Sequence, residues 1–160
     1  MPFIIQDHLG GVQPIATTET TKATAHALGD IVKAVDSTYG TGEFIYLKGV
    51  ASTVVGSTVV WDSSFQTALT GTGSRGPVAV AMSANVANQF GWYQISGLAQ
   101  VLSAAAVASG APLQTNATPG TVDDTATVGQ YIDGMVAKAA AGGASVLFTA
   151  ALSRPCCNGR

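Results

Sequence analysis

The sequence predicts an all-β protein: a compact β-sandwich or small β-barrel with an extended N-terminal arm. Three observations carry that expectation. Short runs rich in Val, Ile, Tyr, Phe and Trp recur along the chain, and Gly or Pro punctuates nearly every gap between them. Helix signals are weak, since the Ala runs at 104–106 and 139–141 are cut short by Gly110 and by Gly142 and Gly143. At 160 residues the chain has room for one ordinary domain with a proper core.

Residues 1–25 read as the arm. Phe3, Ile4 and Ile5 form an apolar tip, followed by Gly10, Gly11 and a Thr-rich run at 17–24. A first strand of the domain is the alternative, because Thr favours strands. The β domain is expected over 26–153. Its first strand covers 28–35, with Ile31, Val32 and Val35, and turn residues at 36–42 lead into a second at 43–48. In that second strand Phe44 and Tyr46 point one way while Ile45 and Leu47 point the other, which predicts cover on both faces. Further strands are expected at 54–61, 78–82, 92–96, 131–137 and 145–152, and Pro119 with Gly120 suits the centre of a type II turn. Residues 154–160 read as an unstructured tail.

A faint internal repeat runs beneath these elements. FIYLKGVA at 44–51 parallels WYQISGLA at 92–99 (92 − 44 = 48), and Gly56 to Val59 parallels Gly110 to Leu113 (110 − 56 = 54). Either the domain is a duplicated β unit whose halves pack together, or strand–Gly–strand patterns have recurred by chance.

Charge separates this chain from an ordinary soluble domain. Hydrophobic residues make up 47% but charged ones only 10%, against about 25% as the common value. From Gly76 to Val122 there is no Asp, Glu, Lys or Arg. Interface cores of permanent oligomers are depleted in the same way, so the central region reads as surface to be covered, most simply by further copies of the chain. A wet Thr/Ser surface is the competing reading. A net charge of −2 without a basic patch argues against nucleic acid as a partner. No secretory signal is visible at the N-terminus. The Ala-rich stretch at 98–112 is broken by Ser103, Ser109 and Gly110, short of the roughly 18 apolar residues a membrane span needs, so no membrane partner is expected.

Motifs for chemistry are sparse. Gly71, Gly73 and Gly76 fit G-x-G-x-x-G, but a strand-like run follows where a dinucleotide fingerprint needs a helix N-terminus, so no cofactor is expected. His8 and His26 lie in no triad or nucleophile-elbow context. Asp123 and Asp124 are neighbours, which on a strand would face opposite sides, and they read as turn residues. Cys156 and Cys157 cannot easily reach ordinary disulfide geometry with each other, and the histidines are too distant in sequence to complete a metal site. Asn116 heads a glycosylation triplet that carries no weight without a secretory signal. Trp61, Trp92 and Tyr93 read as core or interface anchors; lining a ligand pocket is the rarer use. The chain therefore reads as non-enzymatic, with no catalytic, cofactor-binding or metal residue.

The order of these pieces resembles a known family. LGDIV at 28–32, EFIYL at 43–47, GSTVVWD at 56–62, GPVAVAM at 76–82, FGWYQISGLA at 90–99, DGMV at 133–136 and VLF at 146–148 are similar to segments of small head decoration, or capsid cement, proteins of tailed bacteriophages. The likeness spans roughly 26–152 and is most specific in the FGWYQISG block; the arm and the tail lie outside it. It implies a virion structural protein on the outer surface of the capsid, made in the host cytoplasm. Such a protein binds as a homo-oligomer, often a trimer, and clamps neighbouring major capsid protein subunits, with Phe3, Ile4 and Ile5 of the arm as candidate capsid contacts. The alternatives are a small-molecule-binding β-barrel with Trp61, Trp92 and Tyr93 in its mouth, another virion component such as a tail or fibre protein, and, remotely, a lyase or hydrolase using His26 and Asp30.

Overall fold

The computed structural model describes residues 4–5, 15–22, 26–85, 87–125 and 130–158. Every regular element among them is a strand: β1 (Ile4–Ile5), β2 (Ile31–Asp36), β3 (Gly40–Lys48), β4 (Thr58–Trp61), β5 (Thr67–Leu69), β6 (Gly76–Ala81), β7 (Phe90–Leu102), β8 (Ala106–Val107), β9 (Pro112–Thr115), β10 (Val122–Asp123), β11 (Tyr131–Ala137), β12 (Ala141–Gly142) and β13 (Leu147–Cys157). Eleven of them form one antiparallel sheet, and β8 and β12 make a separate ribbon.

The large sheet curls into two barrel-like units. In the first, β3 pairs with β7, β7 with β6, β6 with β4 and β4 with β5. β5 then returns to β3 through a parallel bridge between Lys48 and Gln66, and the Lys48 N–H donates to the Phe65 carbonyl at 3.0 Å. The second unit repeats that circuit: β7 pairs with β13, β13 with β11, β11 with β9 and β9 with β10. β10 returns to β7 through a parallel bridge between Ser103 and Val122, where the Ala104 N–H donates to the Val122 carbonyl at 2.8 Å. The long strand β7 serves both circuits.

The two circuits thus repeat one order of pairing, with ladder positions offset by about 55. In ladder position Tyr46 opposite Trp92 lines up with Val101 opposite Phe148 (101 − 46 = 55, 148 − 92 = 56), but the first pair lies in the outer core and the second inside its unit. Val60 opposite Ala68 corresponds to Gln114 opposite Asp123 (114 − 60 = 54, 123 − 68 = 55). The Gly56–Gly110 match lies on this offset. The FIYLKGVA and WYQISGLA match at offset 48 does not: those segments are antiparallel neighbours, alike because both are central strands covered on two faces.

Three cores result. Ile45, Leu47, Val59, Ala79, Ala81, Tyr93 and Ile95 fill the first unit. The second is filled from β7, β9, β10, β11 and β13, with Phe148, Met135 and Leu113 among its largest members, and β6 adds Val78 and Val80 from its opposite face. The third covers the outer side of β2, β3 and β7, where Val32, Phe44, Tyr46 and Trp92 pack with Ile15 and Met82. The two-faced pattern expected of β3 is therefore observed, with Phe44 and Tyr46 in one core and Ile45 and Leu47 in another.

Both ends of the chain depart from expectation. Ile4 pairs with Val35 and Ile5 with Ala34, so within 1–25 they form an edge strand rather than a free tip; Phe3 lies outside the described residues. Ile15 is buried and Glu19 bridges Phe90, so the domain starts well before residue 26. At the other end β13 runs through the segment read as tail to Cys157, pairing Cys156 with Asp133 and Pro77. A proline discourages a strand assignment, yet Pro155 sits at a bulge, where Ser153 and Arg154 are both exposed and Arg154 has φ 45°.

Candidate functional site: an apolar cleft and an apolar patch

The predicted anchors separate in space. Trp92 and Tyr93 are both 0% exposed and, as strand neighbours, project into different cores. Trp61, at the end of β4, is half-buried against the first barrel core. The three rings therefore do not share a pocket mouth. Burial pushes the Tyr93 phenol pKa up, with the neighbouring polar side chains of Thr67 and Asn85 acting in the other direction.

His26 is buried beside the outer core. Its ring packs edge-on to Tyr46 and Trp92 at 5.3 and 5.2 Å, and neither ring nitrogen has a hydrogen-bond partner among the described residues. Tyr46 Oη donates to the Glu19 carboxylate. Asp30 is occupied locally, accepting the Ala27 N–H at 2.7 Å. Asp123 and Asp124 also serve the backbone: Asp123 accepts from the Asp124 and Thr125 N–H groups and Asp124 from Ala108. The Gly71–Gly76 loop holds a turn closed by Ser74 N–H to the Gly71 carbonyl and leads straight into β6. No group of three His, Cys, Asp or Glu lies together among the described residues, and no helix there is long and apolar enough to cross a membrane.

Two surface features remain. One is a cleft of about 190 Å³ at the end of the first barrel. Ile31, Ile45, Trp61, Val78 and Ile95 line it together with Pro77, Arg154 and Pro155. Arg154 donates from Nε to a Glu43 carboxylate oxygen at 3.0 Å. The other is a patch at the far end of β13. Val54, Val55, Val146 and Leu147 are each 41–47% exposed. They are gathered because the Leu147 side chain lies over Gly56 while the Val146 carbonyl accepts the Ser103 N–H. Of these residues only Trp61 stands out in the sequence as a candidate. Val54 and Val55 read there as strand and Arg154 as tail, and nothing local in sequence marks either feature.

Comparison with protein-family models, with curated proteins and with solved structures found no match.

Proposed function

We propose that this chain is a virion structural protein of a tailed phage. In this reading it binds the outer surface of the capsid as an oligomer, a trimer by expectation, and stabilises the head by clamping major capsid protein subunits. The observation that carries the reading is the patch of Val54, Val55, Val146 and Leu147. They are four of the five large apolar side chains exposed among the described residues, and no charged residue occurs at 49–61 or 139–153. A contiguous apolar patch rimmed by small polar residues marks a surface that a partner covers. The resemblance at 26–152 supplies the kind of partner. A shell under internal pressure is stabilised by contacts that exist only in the assembled state, through mass action on that state.

Ile4 and Ile5 enter as a second contact. β1 is the last strand of the sheet order, and an edge strand is a template on which another chain can pair. The small-molecule-binding barrel is the weaker alternative, because a cleft of about 190 Å³ falls below the roughly 300–1,000 Å³ of ligand pockets.

The test is imaging of purified heads with and without this protein. Added density at regular positions on the outer surface is expected, with heads that resist heat or chelator longer. Heads unchanged by the protein, together with a 16.1 kDa monomer that neither self-associates nor sediments with heads, would sink the reading.

A further inference from the structure

We infer that the cleft at the end of the first barrel receives the apolar patch of a second copy, so that copies join head to tail with Leu147 of one seated in the cleft of the next. The inference deepens the proposed assembly and rests on it for one point, that the chain forms a cyclic oligomer.

Symmetry sets the requirement. A twofold pair can be built from one surface meeting itself, but a ring of three needs two different surfaces on every copy, one to give and one to receive. The chain carries two. The five large apolar side chains exposed among the described residues are Ile31, Val54, Val55, Val146 and Leu147. Ile31 lines the cleft, and the other four make the patch. β13 runs from one feature to the other: Leu147 opens it in the patch, and Arg154 and Pro155 line the cleft. The seven intervening steps (154 − 147 = 7) hold the two apart by about 23 Å of strand. One copy can therefore give at one end and receive at the other.

Backbone and size agree with these roles. Ser52 has φ 66° and Ser145 φ 58°, so each exposed apolar pair of the patch follows a non-glycine residue held in the left-handed region. Such conformations are costly and persist where the surrounding structure imposes them, often at binding surfaces. The cleft volume of about 190 Å³ slightly exceeds the 150 Å³ or so of an engineered apolar cavity that holds benzene. A leucine side chain, with fewer carbons than benzene, fits within it.

Charge points to the chain itself as the occupant. No Asp, Glu, Lys or Arg occurs at 49–61 or 139–153. Arg154, the one charged residue lining the cleft, is paired with Glu43 at 3.0 Å. Joining the two surfaces thus strips water from no unpaired ion. Ordinary protein surfaces come from chains with about 25% charged residues, whereas a second copy of this chain offers 10% and a patch with none.

Sedimentation of two full-length variants, alone and mixed, tests the inference. Leu147→Glu spoils the giving surface and keeps the cleft, and Ile31→Glu does the reverse. Both side chains are more than 40% exposed, so both variants should fold, which circular dichroism checks. Each variant alone should self-associate at least about tenfold more weakly than the wild type. An equimolar mixture should form a species of twice the 16.1 kDa chain mass and grow no further, because one intact contact remains and the other sets two glutamates against each other. Undiminished association of Ile31→Glu alone would mean that the patch pairs with itself and would overturn the inference, as would a mixture that stays monomeric. If either variant misfolds, the ¹⁵N-labelled wild type decides: on concentration the indole N–H resonance of Trp61 should move while that of buried Trp92 stays still, and oligomers formed with Trp61 unmoved would overturn the inference. Head binding is measured separately, so a protein that decorates heads without contact between patch and cleft loses this interface and keeps the assembly reading.

Discussion

Tyr46 and Trp92 face each other across β3 and β7 with ring centroids 5.1 Å apart and planes inclined at 55°. Around this pair are gathered the His26 ring, Phe90 stacked on Tyr46, and the N-terminal segment through Glu19. The contact joins the shared strand to the outer core, so it reports on the integrity of both.

Trp92→Ala empties the centre of that cluster. A fully buried large aromatic is worth about 3–5 kcal/mol on truncation. Urea denaturation should show the loss as a lower midpoint, and an unchanged midpoint would remove Trp92 as an anchor.

Gly97 is held at φ 93° in the middle of β7, and a Cβ there would lie 2.5 Å from the Thr41 carbonyl oxygen. Backbone cannot swing aside as a side chain can, so Gly97→Ala should destabilise by about 1–3 kcal/mol. Gly73→Ala is the control, with φ 78° but nothing within 4 Å. Thermal melts should separate the two variants, and equal melting temperatures would contradict the steric argument.

The apolar patch should matter for assembly and hardly at all for folding. Val54→Glu with Val146→Glu places charge where the isolated chain is already exposed, so stability should change by no more than about 0.5 kcal/mol per site. Analytical ultracentrifugation should then show loss of self-association, and pelleting should show loss of head binding. Retained assembly would place the interface elsewhere.

The two cysteines should react differently. Burial pushes the Cys157 thiol from its ordinary 9.0 up to about 12, and the Cys156 charge acts in the same direction. The neutral thiol is the folded form, so its contribution to stability is whole below about pH 9 and is lost as pH rises toward 12. At about pH 8.5 iodoacetamide should modify Cys156 quickly and Cys157 only after denaturant is added. Equal rates in the native protein would mean that β13 frays at its end.

Deleting residues 2–11 removes the two-residue strand β1 and keeps Ile15 and every described member of the three cores. Circular dichroism should show the same β content with a slightly lower melting temperature, while head binding weakens. A deletion that unfolds the domain would show that β1 is structurally essential, and undiminished head binding would exclude Ile4 and Ile5 as contacts.

The sequence by itself determined the class of the fold, because burial periodicity and turn residues are local signals. β11 lies at 131–137, where a strand is expected, and the two apolar faces of β3 were readable from Phe44 to Leu47. Strands of two to four residues such as β5, β9 and β10 are too short to show a period. The last residues of β13 were hidden behind Pro155, which is tolerated only because a bulge accommodates it. Only the tertiary structure decided which strands meet. It set a repeated order of pairing, offset by about 55, against the apparent repeat at 48, since two strands in similar surroundings can share a composition. It also created the cleft and the patch: Ile31, Trp61 and Arg154, or Val55 and Leu147, become neighbours through hydrogen-bonded ladders that join distant parts of the chain, which no local pattern encodes.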